Sequence, residues 1–265
     1  MHLSRIKQPQ RPSRLVGDAA AIGSRTLLIS EQLCESVDLR AGERVLDVPC
    51  ASGSAALAAA RRFCRAVAVD VPVMLERARR RADAEGLEVA FLEGEAEDLP
   101  FPDGSFEVVL SAGDAMSNPA REGTVGELLR VCRPGGRIGM VSWTPAGYVG
   151  ELFAAVGGRP PAPAAVETPI LWGTEERLRE LLGDAVSRLE ITRRTYVWRF
   201  RSPEEFAGFF KDRYSPTHKA FEALDEAGKA RLWDDLTVLA REHDSEEGLT
   251  VAMAAEYLEV VATRS

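Results

Sequence analysis

The most constraining feature of this 265-residue chain is segment 44–54, where an apolar run gives way to small residues. Its first half predicts a buried strand, and the alanine-rich run 55–60 predicts a helix immediately after it. Such a unit directs backbone N–H groups and the positive end of a helix toward the carboxyl end of a strand. The next apolar run ends in Asp70, at the position where doubly wound α/β folds hold a ribose diol. Together these signals indicate a nucleoside-containing cofactor.

The composition is that of a soluble globular protein, with 45% hydrophobic and 28% charged residues. A net charge of −8 argues against nucleic-acid binding, and we interpret the basic run 77–81 as a solvated helix face. Four cysteines without C-x-x-C spacing predict neither a zinc site nor a disulfide framework. No apolar stretch is long enough for a membrane span, and the polar N-terminus is unlike a signal peptide. We therefore expect a cytoplasmic protein, either monomer or homodimer, that contacts no membrane.

Strands and helices are predicted to alternate along the first half of the chain. Strands are expected at 44–48, 65–70, 89–93, 106–111, 137–143, 188–200 and 257–262. Helices are expected within 18–37, at 53–63, 72–85, 121–132 and 174–183, from Ser202 onward, and near 217–243. This alternation predicts an α/β fold with a doubly wound, mostly parallel sheet. Residues 1–16 are expected to form a flexible arm, 17–145 the cofactor-binding core, and 146–265 a substrate-facing addition within the same domain.

The first turn and several later segments resemble class I S-adenosylmethionine (SAM)-dependent methyltransferases. Residues 47–53 match that family's acidic-x-G-x-G-x-G motif, with Pro49 and Ala51 where glycines are usual. Segments 74–79, 91–107 and 127–137 are similar to the helix after the ribose aspartate, the adenine-side loop and the fifth-strand region. Segment 171–178 resembles the ubiquinone/menaquinone-biosynthesis subgroup. The resemblance implies a Rossmann-like sheet of seven strands whose last strand is antiparallel.

The resemblance also implies a cofactor site for SAM, with S-adenosylhomocysteine as the product. Asp70 would hold the ribose, Glu95 would accept from the adenine amino group, and the Pro49 carbonyl would accept from the ammonium of SAM. Ala51 is expected to fit unless its position requires a positive φ angle. The predicted cofactor-binding residues are Asp47, Pro49, Cys50, Ala51, Gly53, Asp70, Val71, Glu95, Ala96, Glu97, Ser111 and Met116.

The acceptor is expected to be a small organic molecule, methylated at O, N or C. Asp114 follows the fourth predicted strand and is a candidate general base or substrate anchor, or otherwise a helix cap. His218 is a second catalytic candidate, with an exposed helical histidine as the alternative. Aromatic residues concentrate in the C-terminal half, where one or two are expected to line an apolar acceptor pocket.

Two other classes of function are compatible with parts of the pattern. Pro49, Ala51, Ala68, Glu95 and Asp114 depart from the methyltransferase pattern, so the chain could bind SAM or S-adenosylhomocysteine without methylating, for example in a cyclisation or as an inactive protein. A nicotinamide-dependent oxidoreductase is disfavoured because G-x-G-x-x-G is missing. The arginine-rich, lysine-poor composition is typical of GC-rich bacterial genomes and favours a role in secondary metabolism.

Overall fold

A single mixed sheet organises the protein, whose computed structural model describes residues 19–112, 121–157, 173–245 and 250–265. The strands are β1 (Arg44–Asp47), β2 (Arg65–Asp70), β3 (Val89–Glu93), β4 (Phe106–Ala112), β5 (Cys132–Trp143), β6 (Val186–Phe200) and β7 (Val251–Arg264). Their spatial order is β3–β2–β1–β4–β5–β7–β6. The first five strands are parallel, and β7 is antiparallel to both of its neighbours. The predicted α/β class, with seven strands and an antiparallel last strand, is confirmed.

Helices cover both faces of this sheet. They are α1 (Ala19–Arg25), α2 (Leu27–Ser36), α3 (Ser54–Arg61), α4 (Pro72–Glu85), α5 (Arg121–Val131), α6 (Gly147–Gly157), α7 (Glu175–Leu182), α8 (Pro203–Arg213), α9 (Ser215–Glu222) and α10 (Glu226–Glu242). Buried side chains of α2 and α3, such as Leu33 and Ala58, pack on one face. Buried side chains of α5, α6 and α8 to α10 pack on the other, where Leu128 and Tyr148 belong to the larger core.

The strand order reverses between β1 and β4. β1 pairs in parallel with β2 on one side and with β4 on the other, so the chain winds outward in opposite directions from this point. Connections that leave two adjacent strands in opposite directions open a crevice at their carboxyl ends. The residues that follow Asp47, and Ala112 at the end of β4, therefore border the natural ligand position of this fold.

Several predicted element bounds are wrong in the second half of the chain. Segment 147–157, where no helix was predicted, forms α6. This helix begins after a bend at Gly147 (φ 70°) and buries four apolar residues, of which Tyr148 and Leu152 lie one turn apart. The single helix expected near 217–243 is two helices, because the Asp225 side chain accepts from the Gly228 N–H (2.7 Å) and starts α10 anew.

The last strand is also longer than the expected 257–262. It begins at Val251 because β6 pairs with it as far as Phe200. Strands β6 and β7 thus join the same sheet as the N-terminal strands. The boundaries at residues 16/17 and 145/146 stay predictions, and the expected arm lies outside the described residues.

Candidate functional site

The turn after β1 is fixed by backbone hydrogen bonds to both neighbouring strands. The Val48 N–H donates to the Leu110 carbonyl of β4 (2.9 Å), and the Cys50 N–H donates to the Val69 carbonyl of β2 (3.0 Å). Within the turn, the Gly53 N–H donates to the Cys50 carbonyl (2.7 Å), just before α3 begins. The peptide bond preceding Pro49 is cis. The predicted strand–turn–helix unit is therefore present, and its turn lies beside the crevice between β1 and β4.

Two residues of this turn have positive φ angles. Gly53 has φ 76°, and a Cβ added there would lie 2.9 Å from the Cβ of Ala78 on α4. Ala51 has φ 47°, so the condition under which alanine fits poorly is met. A left-handed conformation costs a non-glycine residue roughly 1–2 kcal/mol. The turn therefore holds Ala51 in a left-handed conformation at this cost.

Asp47 lies beneath the start of α3. Its carboxylate is buried, and Oδ2 accepts from the Ala56 N–H (2.8 Å) in the first turn of that helix. A carboxylate at a helix N-terminus satisfies an otherwise unbonded donor and complements the helix dipole. Its described hydrogen bond thus orients the helix, and direct contact between Asp47 and a cofactor stays a prediction.

The Asp70 carboxylate faces the turn rather than bulk solvent. Oδ2 accepts from the Ala51 N–H and Oδ1 from the Val71 N–H, both at 2.7 Å. A carboxylate has about four lone-pair positions, so each oxygen can accept a further hydrogen bond. Burial raises the pKa of Asp70, whereas the N–H groups of Val71 and Ala51 act in the opposite direction. The Asp70 carboxylate thus links the end of β2 to the turn after β1, and its oxygens can still accept hydrogen bonds from two hydroxyl groups.

The loop after β3 holds the residues expected near an adenine ring. Glu95 is exposed, whereas Ala96 and Glu97 are half-buried. The loop is fixed from α5, since the Leu99 N–H donates to Glu127 Oε2 (2.7 Å) and Arg130 Nη2 donates to the Leu99 carbonyl (3.0 Å). The Arg130 guanidinium lowers the pKa of Glu127.

Sequence reasoning did not identify Glu127 and Arg130 as anchors of this loop. Their i, i+3 spacing on the predicted helix 121–132 was the available signal, because residues three apart share one helix face.

Ser111 lies near the carboxyl end of β4, beside the crevice. Its side chain is buried, and its hydroxyl has no hydrogen-bond partner among the residues that the structure describes. The predicted cofactor residue Met116 and the catalytic candidate Asp114 follow it in the chain, but both lie outside the described residues.

Arg81 corrects the interpretation of run 77–81 as a solvated helix face. Its Nη1 reaches from α4 to the first turn and donates to the Ser52 carbonyl (2.6 Å), Ser52 Oγ (3.0 Å) and Ser54 Oγ (3.1 Å). Arg80 beside it keeps the expected position, with 75% of its side chain exposed and an ion pair to Glu76. One arginine of the run therefore supports the candidate cofactor turn.

His218 lies on α9, in the helical layer of the C-terminal half. Its Nδ1 is 3.2 Å from the Lys211 carbonyl oxygen, and its Nε2 is 3.5 Å from Glu222 Oε1. None of its described contacts joins it to the turn after β1 or to Asp70. Its catalytic role stays a prediction.

An aromatic cluster surrounds α8 in this layer. The centroids of neighbouring rings lie about 5–6 Å apart in edge and tilted arrangements, and the rings belong to Trp198, Phe200, Phe206, Phe209, Phe210 and Tyr214. Three buried polar atoms around this cluster have no hydrogen-bond partner among the described residues: Tyr148 Oη, Trp198 Nε1 and Thr217 Oγ1. These aromatic side chains thus belong to the core or pack against it.

Across the described ranges, no group of three or more histidine, cysteine, aspartate or glutamate residues has a metal-binding arrangement. None of the described helices has the length and apolar character needed to cross a bilayer. All four cysteines are buried, and none of them forms a disulfide bond.

The fold and the arrangement around Asp70 define a class of proteins. The family model described as "Methyltransferase domain" matches residues 45–136, which contain β1 to β4 and the candidate site. Residues 45–136 thus belong to the methyltransferase-domain family, and the chain has the Rossmann-like fold of class I SAM-dependent methyltransferases.

Two proteins show the sequence similarity of this chain to known relatives. The uncharacterized protein Rv1403c of Mycobacterium tuberculosis is 37% identical over 234 residues, covering 86% of this chain and 85% of that protein. Demethylmenaquinone methyltransferase of Thermus thermophilus is 42% identical over 116 residues, covering 42% of this chain and 53% of that protein.

Solved structures with the same fold have lower sequence identity. The crystal structure of a putative methyltransferase from Bacillus halodurans has a TM-score of 0.61 at 22% identity, covering 88% of this chain and 97% of that chain. The [4+2]-cyclase SpnF has a TM-score of 0.55 at 21% identity, covering 90% of this chain and 81% of that chain.

Proposed function

We propose that this protein is a SAM-dependent methyltransferase that moves the methyl group to O, N or C of a small organic acceptor. The observation that carries the proposal is the Asp70 carboxylate, whose two oxygens each accept one backbone N–H at 2.7 Å. Both retain room for a hydroxyl donor. Family membership supports SAM as the molecule that supplies those hydroxyls.

The residues of the turn fit such a cofactor in chemical type. The Pro49 carbonyl would accept from the ammonium group, Asp70 would accept from both ribose hydroxyls, and Glu95 with the Ala96 backbone would border the adenine. Cys50, Gly53, Val71 and Glu97 would complete the walls. When bound, SAM supplies a methyl group already activated by its positively charged sulfur.

The remaining task of the protein is orientation. The crevice between β1 and β4 would hold the acceptor atom in line with the transferred methyl group, and such positioning accounts for a large part of the barrier reduction in reactions of this type. Ser111 borders this crevice from β4. Asp114 and His218 are the candidates for removing a proton from the acceptor. Replacing each with a side chain that cannot act as a base (Asp114→Asn, His218→Gln) tests that role through the pH profile of turnover.

A titration followed by a product search tests the proposal. SAM and S-adenosylhomocysteine are titrated calorimetrically into the full chain, and small aromatic and aliphatic acceptors are then screened by mass spectrometry for a mass increase of one methyl group. We expect micromolar binding of both ligands and methylation of at least one acceptor. Absence of binding contradicts the proposal.

The same titration separates the non-methylating alternative. Tight binding without methylated product across the screen, together with a changed acceptor of unchanged mass, would support a reaction such as cyclisation. The departures at Pro49, Ala51, Ala68 and Glu95 motivate that comparison. A role in bacterial secondary metabolism is proposed with the acceptor class, and light scattering of the purified chain would distinguish monomer from homodimer.

A further inference from the structure

An open cleft of about 450 Å³ lies between α1 and α8, and we call it the α1/α8 cleft. Its walls include Ser24 and Arg25 on α1 and Glu205, Phe209 and Asp212 on α8. A volume of this size lies within the range of small-molecule sites, which is about 300–1,000 Å³. The cleft is thus large enough for a single-ring organic molecule, and its chemistry depends on the charged groups that line it.

Arg25 is the side chain of this cleft that has an unsatisfied hydrogen-bond donor. Its guanidinium carbon lies 4.2 Å from the ring centroid of Phe209 and 5.0 Å from that of Phe200. Its Nη1 is buried and has no hydrogen-bond partner among the described residues. Aromatic contact stabilises a guanidinium, but it provides no acceptor for the N–H groups.

Other half-buried arginines have the carboxylate partners that Arg25 lacks in the described part of the chain. Arg62 forms ion pairs with Glu31 and Glu35 at 2.6 Å, and Arg130 forms one with Glu127 at 2.6 Å. A guanidinium with no carboxylate in contact is suited to bind an anionic ligand by charge-assisted hydrogen bonds.

The acidic residues of the cleft do not neutralise Arg25 by contact. Glu205 is bonded to Arg201, which donates through its backbone N–H (2.6 Å) and through Nη2 (3.0 Å). Asp212 is exposed on the rim. The case for an anionic ligand therefore rests on the unbonded fork of Arg25 and not on the net charge of the cleft.

The cleft borders the candidate cofactor site through α1. Ser54 Oγ, at the start of α3, donates to the Gly23 carbonyl (3.4 Å), and a Cβ at Gly23 would collide with Ser52 Oγ. Arg25 lies two residues further along this helix, a rise of about 3 Å. Its own carbonyl accepts from the Tyr196 hydroxyl of β6, so the end of α1 is tied to the C-terminal strands.

We propose that the α1/α8 cleft is the acceptor site and that Arg25 recognises a carboxylate on a planar aromatic acceptor, with Phe209 against its ring. The acceptor role rests on the proposed function, because it requires SAM at the adjacent turn. The preference for a carboxylate rests on the cleft alone.

Two probes that differ in charge test this preference. 4-Hydroxybenzoate and the uncharged 4-hydroxybenzamide are titrated into the full-length chain, with and without S-adenosylhomocysteine, and binding is followed by NMR. We expect the carboxylate to bind about tenfold more tightly and to shift the amide signals of Gly208 and Phe209. Added salt should weaken the carboxylate alone.

Three variants assign the preference to Arg25. Arg25→Met keeps an unbranched apolar side chain over the ring and should abolish the tenfold preference, whereas Arg25→Lys should keep part of it. Arg80→Met removes an exposed arginine elsewhere and should leave the preference intact. Circular dichroism and thermal unfolding would establish that each variant is folded.

Equal binding of the two probes, no detectable carboxylate binding, or an unchanged preference in Arg25→Met would overturn the proposal. Mutual exclusion between the carboxylate and S-adenosylhomocysteine would overturn the acceptor role specifically. Absence of S-adenosylhomocysteine binding with the carboxylate preference intact would instead contradict the proposed function. The two failures are thus distinguishable.

Discussion

The turn after β1 and the α1/α8 cleft are stabilised in opposite ways. In the turn, Asp47 and Asp70 accept from backbone N–H groups at 2.7–2.8 Å, and Arg81 binds the outer side. In the cleft, Arg25 and Phe209 meet through ring contact, and the Arg25 fork has no described acceptor. In the turn the chain's own backbone N–H groups hold the carboxylates in place, whereas in the cleft the Arg25 guanidinium has an unused donor.

This difference follows from what each region has to recognise. A ligand shared across a protein family can be received by backbone geometry, which changes little between sequences. A ligand that differs between family members requires side chains, and polar side chains in a binding cleft are left unbonded at a cost of about 1–3 kcal/mol each until the ligand arrives. The comparison predicts that substitutions at the turn affect cofactor affinity and stability, whereas those at the cleft affect acceptor preference.

The largest effect is expected from Asp70→Asn. The amide has one acceptor oxygen, so it cannot bind Ala51, Val71 and two hydroxyl groups together, and a charge-assisted bond pair is lost. We expect the Kd for S-adenosylhomocysteine to rise by about 100-fold, measured by calorimetry. Asp83→Asn on the exposed side of α4 is the control. An unchanged Kd in Asp70→Asn would remove the residue from the site.

Arg81→Met is expected to have the next largest effect, on stability. Its guanidinium donates three hydrogen bonds to Ser52 and Ser54, so its loss should lower the free energy of unfolding by about 2 kcal/mol. The neighbouring Arg80→Met removes an exposed ion pair and should change it by less than about 0.5 kcal/mol. Urea unfolding of both variants measures the contrast. Equal effects of the two substitutions would indicate that Arg81 is part of the solvated helix face, as Arg80 is.

The N-terminal half of the fold is predictable from local patterns. Segments 65–70, 72–85 and 89–93 have the bounds expected from sequence, and Gly86 ends its helix in the left-handed conformation (φ 64°). Each of these elements combines an apolar period with a terminal signal, such as Pro72 at a helix start or Gly86 at its end. Local chemistry alone therefore determines where these elements begin and end.

The site is predictable only where its residues act locally. Asp70 follows from the end of a strand, but Arg81 contacts Ser52 from 29 positions away, and a basic run gives no sign of which arginine turns inward. Arg25 likewise meets Phe209 only after the C-terminal helices have packed. Helix α6 was missed because Pro145 and Gly147 are loop signals, although apolar residues recur after them at helical spacing.

A smaller effect is expected from acidification. Burial raises the pKa of Asp70, so the carboxylate takes up a proton at higher pH than an ordinary aspartate and loses acceptor capacity for hydroxyl groups. Affinity for S-adenosylhomocysteine should therefore fall, by about tenfold, as pH decreases through this raised pKa. The stability of the unliganded protein has the opposite pH dependence. Because the buried carboxylate is destabilising when charged, the free energy of unfolding should fall as pH rises through the same range. Calorimetry at a series of pH values measures this loss of affinity. The Asp70→Asn variant is the control, because its pH profile reflects only the titration of the ligand. Identical profiles for the two proteins would exclude Asp70 as the cause.

The smallest expected effect comes from Ala51→Gly. Glycine removes the roughly 1–2 kcal/mol cost of φ 47° but loses about 0.5–1 kcal/mol through the entropy of the unfolded chain, so a net stabilisation below about 1 kcal/mol should appear in urea unfolding. Ala60→Gly in α3, where φ is helical, has only the entropic term and should destabilise by about 1 kcal/mol. Opposite signs for the two substitutions would establish that the positive φ angle at Ala51 is strained. Equal destabilisation would show instead that alanine is accommodated there, and that the turn needs no glycine to form its carboxylate-bound shape.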